Sequence, residues 1–197
     1  MRRTLLIVLT FILIFLGLGF FGLIALPRIN DPFPPELRAQ LTTLNDERRE
    51  LEWLVGKARM AGRGNELPQE RQEYDTLASD ANAWLRDIAQ GLETGEMNTA
   101  SLSAQYNGNL QPKANALLRL IRPKMSWMGA QRRDLGLFRV AAAEVDHFSA
   151  GLEHRWHDMS TYFKFARAGA GESKKIGLSE LDDMKWVPWA SIMAEQF

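Results

Sequence analysis

The first 26 residues of the chain constrain its fold more than any other feature. Arg2 and Arg3 are followed by an uncharged run from Thr4 to Leu26, TLLIVLTFILIFLGLGFFGLIAL. As an α-helix that rises about 1.5 Å per residue, this run would be roughly 34 Å long. The hydrocarbon core of a bilayer is about 30 Å thick, so the run can span it with some tilt. The sequence therefore predicts an N-terminal transmembrane anchor over residues 1–26.

A cleaved signal peptide is the alternative interpretation of this segment. The apolar stretch of a signal peptide is usually about 7–15 residues long and ends at a small-x-small site. The run in this chain is longer, and Leu23-Ile24-Ala25 provides no such site. Gly17-Leu18-Gly19 does provide one, but it lies inside the apolar run. We therefore expect the segment to be retained as an anchor.

The charges that flank the run predict its orientation. Arg2 and Arg3 have no acidic neighbour, whereas the first charges after the run, Arg28 and Asp31, are of mixed sign. The positive-inside rule then places the N-terminus in the cytoplasm and the rest of the chain on the other side. We expect a single-pass protein of the bacterial inner (cytoplasmic) membrane with a periplasmic body.

Three glycines, Gly17, Gly19 and Gly22, fall in the second half of the run. Gly19 and Gly22 lie near one helix face, but the GxxxG dimer motif needs a spacing of four and is absent. Glycine is common in membrane helices, which is one explanation. The other is a smooth groove that lets another helix, a pigment or a lipid tail approach closely. The residues leave both explanations open.

The remainder of the chain excludes several classes of protein. From Arg28 onward there are 22 Lys and Arg (24 minus Arg2 and Arg3) against 24 Asp and Glu, so no basic footprint for nucleic acid is present. The chain has no cysteine, which excludes disulfides, thiolate zinc sites, iron–sulfur clusters and covalent haem attachment. Its length after the anchor, about 170 residues, is enough for one hydrophobic core.

Two segments show the 3–4 spacing of amphipathic helices that pack along a heptad seam. The first predicted helix runs from Pro35 to Ala61, with Arg48 as an interruption of its seam. The second runs from Pro68 to Gly91, after a turn at Gly62–Asn65, so the pair predicts an antiparallel helical hairpin. We expect Arg48 either to extend to solvent or to pair with a carboxylate. The seam residues are Leu37, Leu41, Leu44, Leu51, Val55 and Ala58 in the first helix, and Tyr74, Leu77, Ala81, Trp84 and Ile88 in the second.

Further helices are predicted after the hairpin. A short one covers residues 100–106, a break follows at Asn107-Gly108-Asn109, and another opens at Pro112 and stops at Pro123. A last long helix runs from about Ser126 to Arg167 and ends before Gly169. Its predicted core seam is Leu135, Phe138, Ala142, Val145, Phe148, Leu152, Trp156, Met159 and Phe163.

The predicted fold class is all-α: a single N-terminal transmembrane helix, an extracytoplasmic antiparallel bundle of three to four helices, and an irregular aromatic C-terminal tail. Residues 27–35 contain four prolines and should form a stiff extended spacer. The predicted division is therefore 1–26 anchor, 27–35 proline-rich spacer, 36–168 helical bundle and 169–197 docking tail.

The three histidines, His147, His154 and His157, lie on the last long helix. Glu144 precedes His147 by three residues, and Glu-x-x-His is half of a di-iron motif. The second half is missing, as is any HExxH pattern, and the surrounding charges are mixed. These four residues are weak metal candidates, and we predict no metal and no cofactor.

No pattern for covalent catalysis is present. Ser149, Ser160 and Thr161 lie near the histidines in sequence, but helical spacing alone does not build a catalytic triad. The chain has no GxSxG, no phosphate-binding loop and no GxGxxG. We therefore predict that the protein is not an enzyme.

The aromatic residues of the tail suggest a different role. Trp186 and Trp189 bracket Val187-Pro188, and a proline at this position prevents a continuous helix. Their rings could fold back over the bundle, or they could face a protein or the membrane headgroups. The candidate partner-docking residues are Phe33, Trp127, Trp186, Pro188, Trp189, Ile192, Met193 and Phe197.

These features favour a non-catalytic, single-span accessory subunit that docks onto a larger bacterial integral-membrane complex of respiratory, photosynthetic or secretion type. The expected partners are other subunits of that complex and the lipid bilayer, and no nucleic acid. One alternative is a membrane-anchored periplasmic bundle that binds a ligand or metal. Another is a coiled-coil tether or scaffold, suggested by the seam from Leu37 to Ala58.

Overall fold

In the computed structural model, the described residues are Thr10, 30–62, 64–126 and 136–194. Within these ranges every regular element is a helix and no strand is present, which confirms the all-α prediction and the helical bundle. None of the helices in this described part is both long enough and apolar enough to cross a bilayer. Apart from Thr10, the predicted span with Gly17, Gly19 and Gly22 lies outside the described residues, so the anchor stays a prediction.

The predicted hairpin is present and forms the centre of the bundle. Helix α1 covers Pro35–Met60 and helix α2 covers Pro68–Thr94, with a short 3₁₀ turn at Gly64–Glu66 between them. Both helices begin at a proline, whose fixed φ suits the first turn and whose missing N–H costs no helical hydrogen bond there. All the predicted seam residues of both helices are buried, apart from the interruption at Arg48.

The end of α2 differs from the prediction by about one turn. The helix continues past Gly91 and ends at Gly95, whose φ of 78° is left-handed and whose N–H donates to the carbonyl of Gly91 at 3.0 Å. A glycine at this position closes a helix without steric cost. Gly91 is instead a close-contact site, since a Cβ there would lie 3.1 Å from the Cα of Met97.

The predicted break at Asn107–Asn109 was wrong. Helix α3 (Thr99–Gln105) passes through a π-helical turn, Tyr106–Leu110, directly into helix α4 (Gln111–Ser126). Tyr106 and Leu110 are buried in this turn, and their packing outweighs the weak helical propensity of the residues between them. Pro123 lies inside α4 and does not end it, because Leu117, Leu118 and Ile121 hold the helix in the core.

Helix α5 (Gly136–Arg167) packs antiparallel to α1. Arg49 Nη2 donates to the carbonyl of Ala150 at 3.4 Å, and the rings of Trp53 and His147 stack 4.5 Å apart. The predicted start near Ser126 falls next to residues 127–135, which lie outside the described part of the chain.

The C-terminal region is not an irregular tail. It forms helix α6 (Ala170–Asp183), an extended segment, and the short helix α7 (Trp189–Ala194). The side-chain amide of Asn82 forms two hydrogen bonds with the backbone of Trp186 in the extended segment. Its Oδ1 accepts from Trp186 N and its Nδ2 donates to Trp186 O, both at 2.9 Å. The Tyr74 hydroxyl donates to the carbonyl of Val187 at 3.1 Å. The region therefore packs against α2 as part of the bundle.

Candidate functional site at the anchor junction and on helix α5

The segment that follows the predicted anchor, here called the junction segment (residues 30–34), is fixed to the far end of the chain. Asn30 adopts a left-handed φ of 63°, which asparagine tolerates better than most residues. Its Nδ2 donates to the carbonyl of Ala168 at 3.1 Å, and its own carbonyl accepts from Ser173 Oγ at 2.6 Å. The junction segment is thus hydrogen-bonded to the end of α5 and to the start of α6.

Arg38 is the centre of this junction. Its side chain is 5% exposed, and its Nε and Nη2 donate to the two carboxylate oxygens of Asp31 at 2.8 and 2.9 Å, while Nη1 donates to Glu180. The guanidinium also lies over the rings of Phe33 and Phe165, 4.7 and 5.7 Å from their centroids. Burial lowers the pKa of Arg38, but hydrogen bonds and charges from Asp31 and Glu180 outweigh it and raise the pKa above its ordinary value.

Gly177 allows α6 to approach the junction segment closely. A Cβ at this position would lie 2.8 Å from Pro32 Cγ, 3.1 Å from Leu92 Cδ2 and 3.2 Å from Phe33 Cζ. Phe33 itself is buried. The second half of the predicted spacer is therefore non-helical, as its prolines require, but it is packed into the bundle and is not a free extended linker.

The predicted docking residues do not form one exposed surface. The docking role of Phe33, Trp186, Trp189 and Ile192 stays a prediction, but all four are buried within the chain, which is the alternative in which the rings fold back over the bundle. The reason is that α2 offers Tyr74, whose ring lies 5.8 Å from Trp186 and 5.7 Å from Trp189. Of the other predicted docking residues, Pro188 is exposed, Met193 is half-buried, and Trp127 and Phe197 lie outside the described residues.

Helix α5 instead presents an apolar surface that the sequence had assigned to the core. Its members, here called the outward face, are exposed by 68%, 54%, 70% and 45%: Phe148, Leu152, Trp156 and Phe163. The residues of α5 that are buried include Thr161 and Phe165, on the opposite side of the helix. The four residues share one face of the helix, as their spacing predicted. That face points to solvent and not, as had been predicted, to the core, because this helix has apolar residues on two sides. The first four members of the predicted seam lie outside the described side chains.

The weak metal candidates are not brought together. His147 stacks on Trp53, His154 Nε2 lies 3.3 Å from Asp158 Oδ2, and His157 Nε2 lies 3.7 Å from Asp183 Oδ2. Within the described ranges no group of three or more metal-ligating side chains occurs, and the side chain of Glu144 lies outside them. Each described histidine therefore has its own separate neighbour.

An open groove of about 1020 Å³ lies between α2 and α7. One wall carries Arg71, Asp75 and Asp80, and the other carries Trp189 and Met193. Asp75 already accepts a hydrogen bond from Trp189 N at 2.9 Å, and Asp80 is paired with Lys113 at 2.6 Å. The groove thus has a mixed polar and apolar lining whose carboxylates are engaged.

Glu47 on α1 predicts a pH dependence of stability. Burial, with the nearby charges of Glu50 and Asp46, raises the pKa of Glu47 from 4.5 to about 7, against the opposing charge of Arg122. Between these values the folded protein holds a proton that the unfolded chain has lost. The free energy of unfolding should therefore fall as pH rises through this window and stay low above pH 7.

Replacing Glu47 by glutamine removes this titration. We compare the effect of Glu47→Gln on the free energy of unfolding at two pH values. The effect above pH 7 should be more stabilising than the effect below pH 4.5 by about 1–2 kcal/mol, after allowance for the partial exposure of Glu47. Urea titrations of the full-length protein in mild detergent at the two pH values measure the difference. Glu153→Gln, at an exposed position, is the control. An equal effect of Glu47→Gln at both pH values would contradict the prediction.

The chain matches no known family model, and neither the curated proteins nor the solved structures contain a significant match. The protein is therefore described by its own structure. It is an all-helical bundle whose junction segment is locked by a buried arginine and whose helix α5 carries an outward apolar face.

Proposed function

We propose that the protein is a non-catalytic, single-span accessory subunit that docks onto and stabilises a larger bacterial integral-membrane complex. The observation that carries this proposal is the locked junction. Arg38 joins Asp31 to Glu180, and Asn30 is bonded to Ala168. Only residues 27–29 separate this lock from the predicted span, and the four Cα–Cα steps from Leu26 to Asn30 reach about 14 Å at most.

A locked junction supports a positioning role. A membrane-tethered domain that searches for its substrate benefits from a long flexible linker, whose reach grows with its length. Here the body begins within a few residues of the predicted span and is held there by a buried charge cluster. Such clusters contribute little net stability compared with apolar packing, but they can specify one arrangement. A subunit that must present the same surface to a fixed neighbour needs this property.

The test is extraction of the full-length protein from its native membranes in two mild detergents, followed by isolation through a C-terminal tag. We expect one or more multi-span proteins to co-purify at a fixed ratio in both detergents. An Asp31→Asn variant should reach the membrane at normal levels but retain less of these partners, because it loosens the junction. A protein that runs as a lone monomer in both detergents would contradict the proposal.

A second candidate function, a periplasmic ligand-binding bundle, is favoured by the groove between α2 and α7. A rise in melting temperature with a small-molecule panel, abolished by a groove substitution such as Ser79→Trp, would favour it over the first. The coiled-coil tether is less well supported, since the seam of α1 that suggested it is already buried inside the chain.

A further inference from the structure

The outward face of α5 is apolar, whereas the solvent-exposed side of a helix in a bundle is normally polar. At about 100° per residue, Phe148, Leu152, Trp156 and Phe163 lie within roughly 80° of one another around the helix. Thr161 and Phe165, which pack into the bundle, point roughly the opposite way. Soluble monomers rarely expose a contiguous apolar surface of this kind. An exposed apolar face of this kind marks a surface for contact with a protein, a ligand or a membrane.

The end of this face lies next to the predicted membrane anchor. Phe163 is five residues before Ala168, which corresponds to about 7.5 Å along the helix axis. The carbonyl of Ala168 accepts the hydrogen bond from Asn30. Only three residues of chain then remain before the end of the predicted span at Leu26. The C-terminal end of the outward face is therefore held close to the bilayer surface.

The stretch of chain around this end carries a net positive charge, although the body as a whole is close to neutral. Between Arg155 and Lys175 the chain carries five basic and two acidic side chains. Lys164 and Arg167, in the last turn of α5, and Lys175 on α6 are exposed. Basic side chains beside Trp, Phe and Leu on one helix are typical of helices that lie in the membrane interface, where anionic lipids attract them.

We propose that the outward face of α5 rests on the surface of the bilayer that holds the anchor. Phe148, Leu152, Trp156 and Phe163 enter the boundary between headgroups and acyl chains, and Lys164 and Arg167 lie among the phosphates. This contact orients the body and leaves its other surfaces free for protein partners. It goes beyond the proposed function and does not require any host complex, although it does require the predicted anchor.

The chain has no native cysteine, so single spin labels can report on the face directly. Leu152→Cys and Trp156→Cys place a label on the outward face, and Ala116→Cys places one on the exposed surface of α4 as the matched control. The full-length protein is reconstituted alone into nanodiscs that contain phosphatidylglycerol. We expect labels at residues 152 and 156 to show a several-fold higher ratio of oxygen to water-soluble nickel accessibility than the label at residue 116.

Two results would overturn the proposal. Labels on the outward face that are as open to nickel as the control label would place the face in water. Labels shielded from both oxygen and nickel would mean that protein covers the face, either a second copy or another segment of the same chain. Both results leave the co-purification test unaffected, because no other subunit is present in the nanodiscs.

The charge contribution has its own test. Replacing Lys164 and Arg167 together by glutamate should reduce the accessibility ratio at residue 156 in nanodiscs with phosphatidylglycerol and change it little in phosphatidylcholine alone. Arg119→Glu, on the exposed surface of α4, is the control and should have no effect in either lipid. An unchanged ratio in the double variant with anionic lipid would overturn the role of these two residues.

Discussion

Replacement of Arg38 by alanine is expected to lower the free energy of unfolding of the full-length protein by about 3–5 kcal/mol. The substitution leaves the carboxylates of Asp31 and Glu180 buried, with side-chain exposures of 6% and 14%, and removes the guanidinium to which both are hydrogen-bonded. It also removes the guanidinium from the rings of Phe33 and Phe165. Urea unfolding in mild detergent, followed by tryptophan fluorescence, measures the loss.

Two further variants separate the buried lock from an ordinary ion pair. Arg122→Ala breaks the ion pair between Arg122 and Glu50, whose side chains are 56% and 38% exposed. It should lower the free energy of unfolding by no more than about 1 kcal/mol. Combining Arg38→Met with Asp31→Asn and Glu180→Gln removes the stranded charges and should recover much of the lost stability. A cost for Arg38→Ala as small as that for Arg122→Ala would contradict the buried lock.

Replacement of Trp186 by alanine should destabilise the protein by about 3–4 kcal/mol, within the range for a large buried aromatic side chain. The ring is 3% exposed and packs against Tyr74. Its indole N–H has no hydrogen-bond acceptor among the described residues, so the loss comes from packing alone and falls in the lower part of that range. The same urea titration measures it.

The neighbouring residue provides the control. Val187 is 39% exposed, and its described hydrogen bonds are made by its backbone: the carbonyl accepts from the hydroxyl of Tyr74, and the N–H donates to the carboxylate of Glu52. Val187→Ala should therefore change stability by less than about 0.5 kcal/mol. If Trp186→Ala were equally mild, and instead only weakened partner binding, Trp186 would be a docking residue as the sequence suggested.

The hairpin was predictable because each of its helices has one apolar side. A 3–4 spacing with charged residues elsewhere specifies both the helix and the face that it buries, from Leu37 to Ala58 and from Tyr74 to Ile88. The two readings of Arg48 are also resolved by the structure. Its Nη1 donates to both carboxylate oxygens of Glu52 at 2.9 Å, and its Nε donates to Asn45 Oδ1 at 3.1 Å.

Helix α5 and the C-terminal region show where local pattern was insufficient. A spacing predicts that Phe148 and Trp156 share a face, but only the packing partner decides which face of a two-sided helix is buried. Trp186 presents the converse problem: the Asn82 amide that fixes its backbone lies 104 residues earlier in the chain. No local signal identifies such a partner, so the sequence left open whether Trp186 folds back over the bundle or faces a partner.

The pairing of Arg38 with Glu180 also has a consequence for biosynthesis. Its two residues are 142 positions apart, so one exists long before the other has been translated. At about 5–20 residues per second, roughly 7–28 s pass between the synthesis of the two. During that interval Asp31 and Arg38 have been synthesised but cannot yet contact Glu180. The ion pair between Arg38 and Glu180 that closes the junction therefore forms late, after most of the nascent helices have emerged.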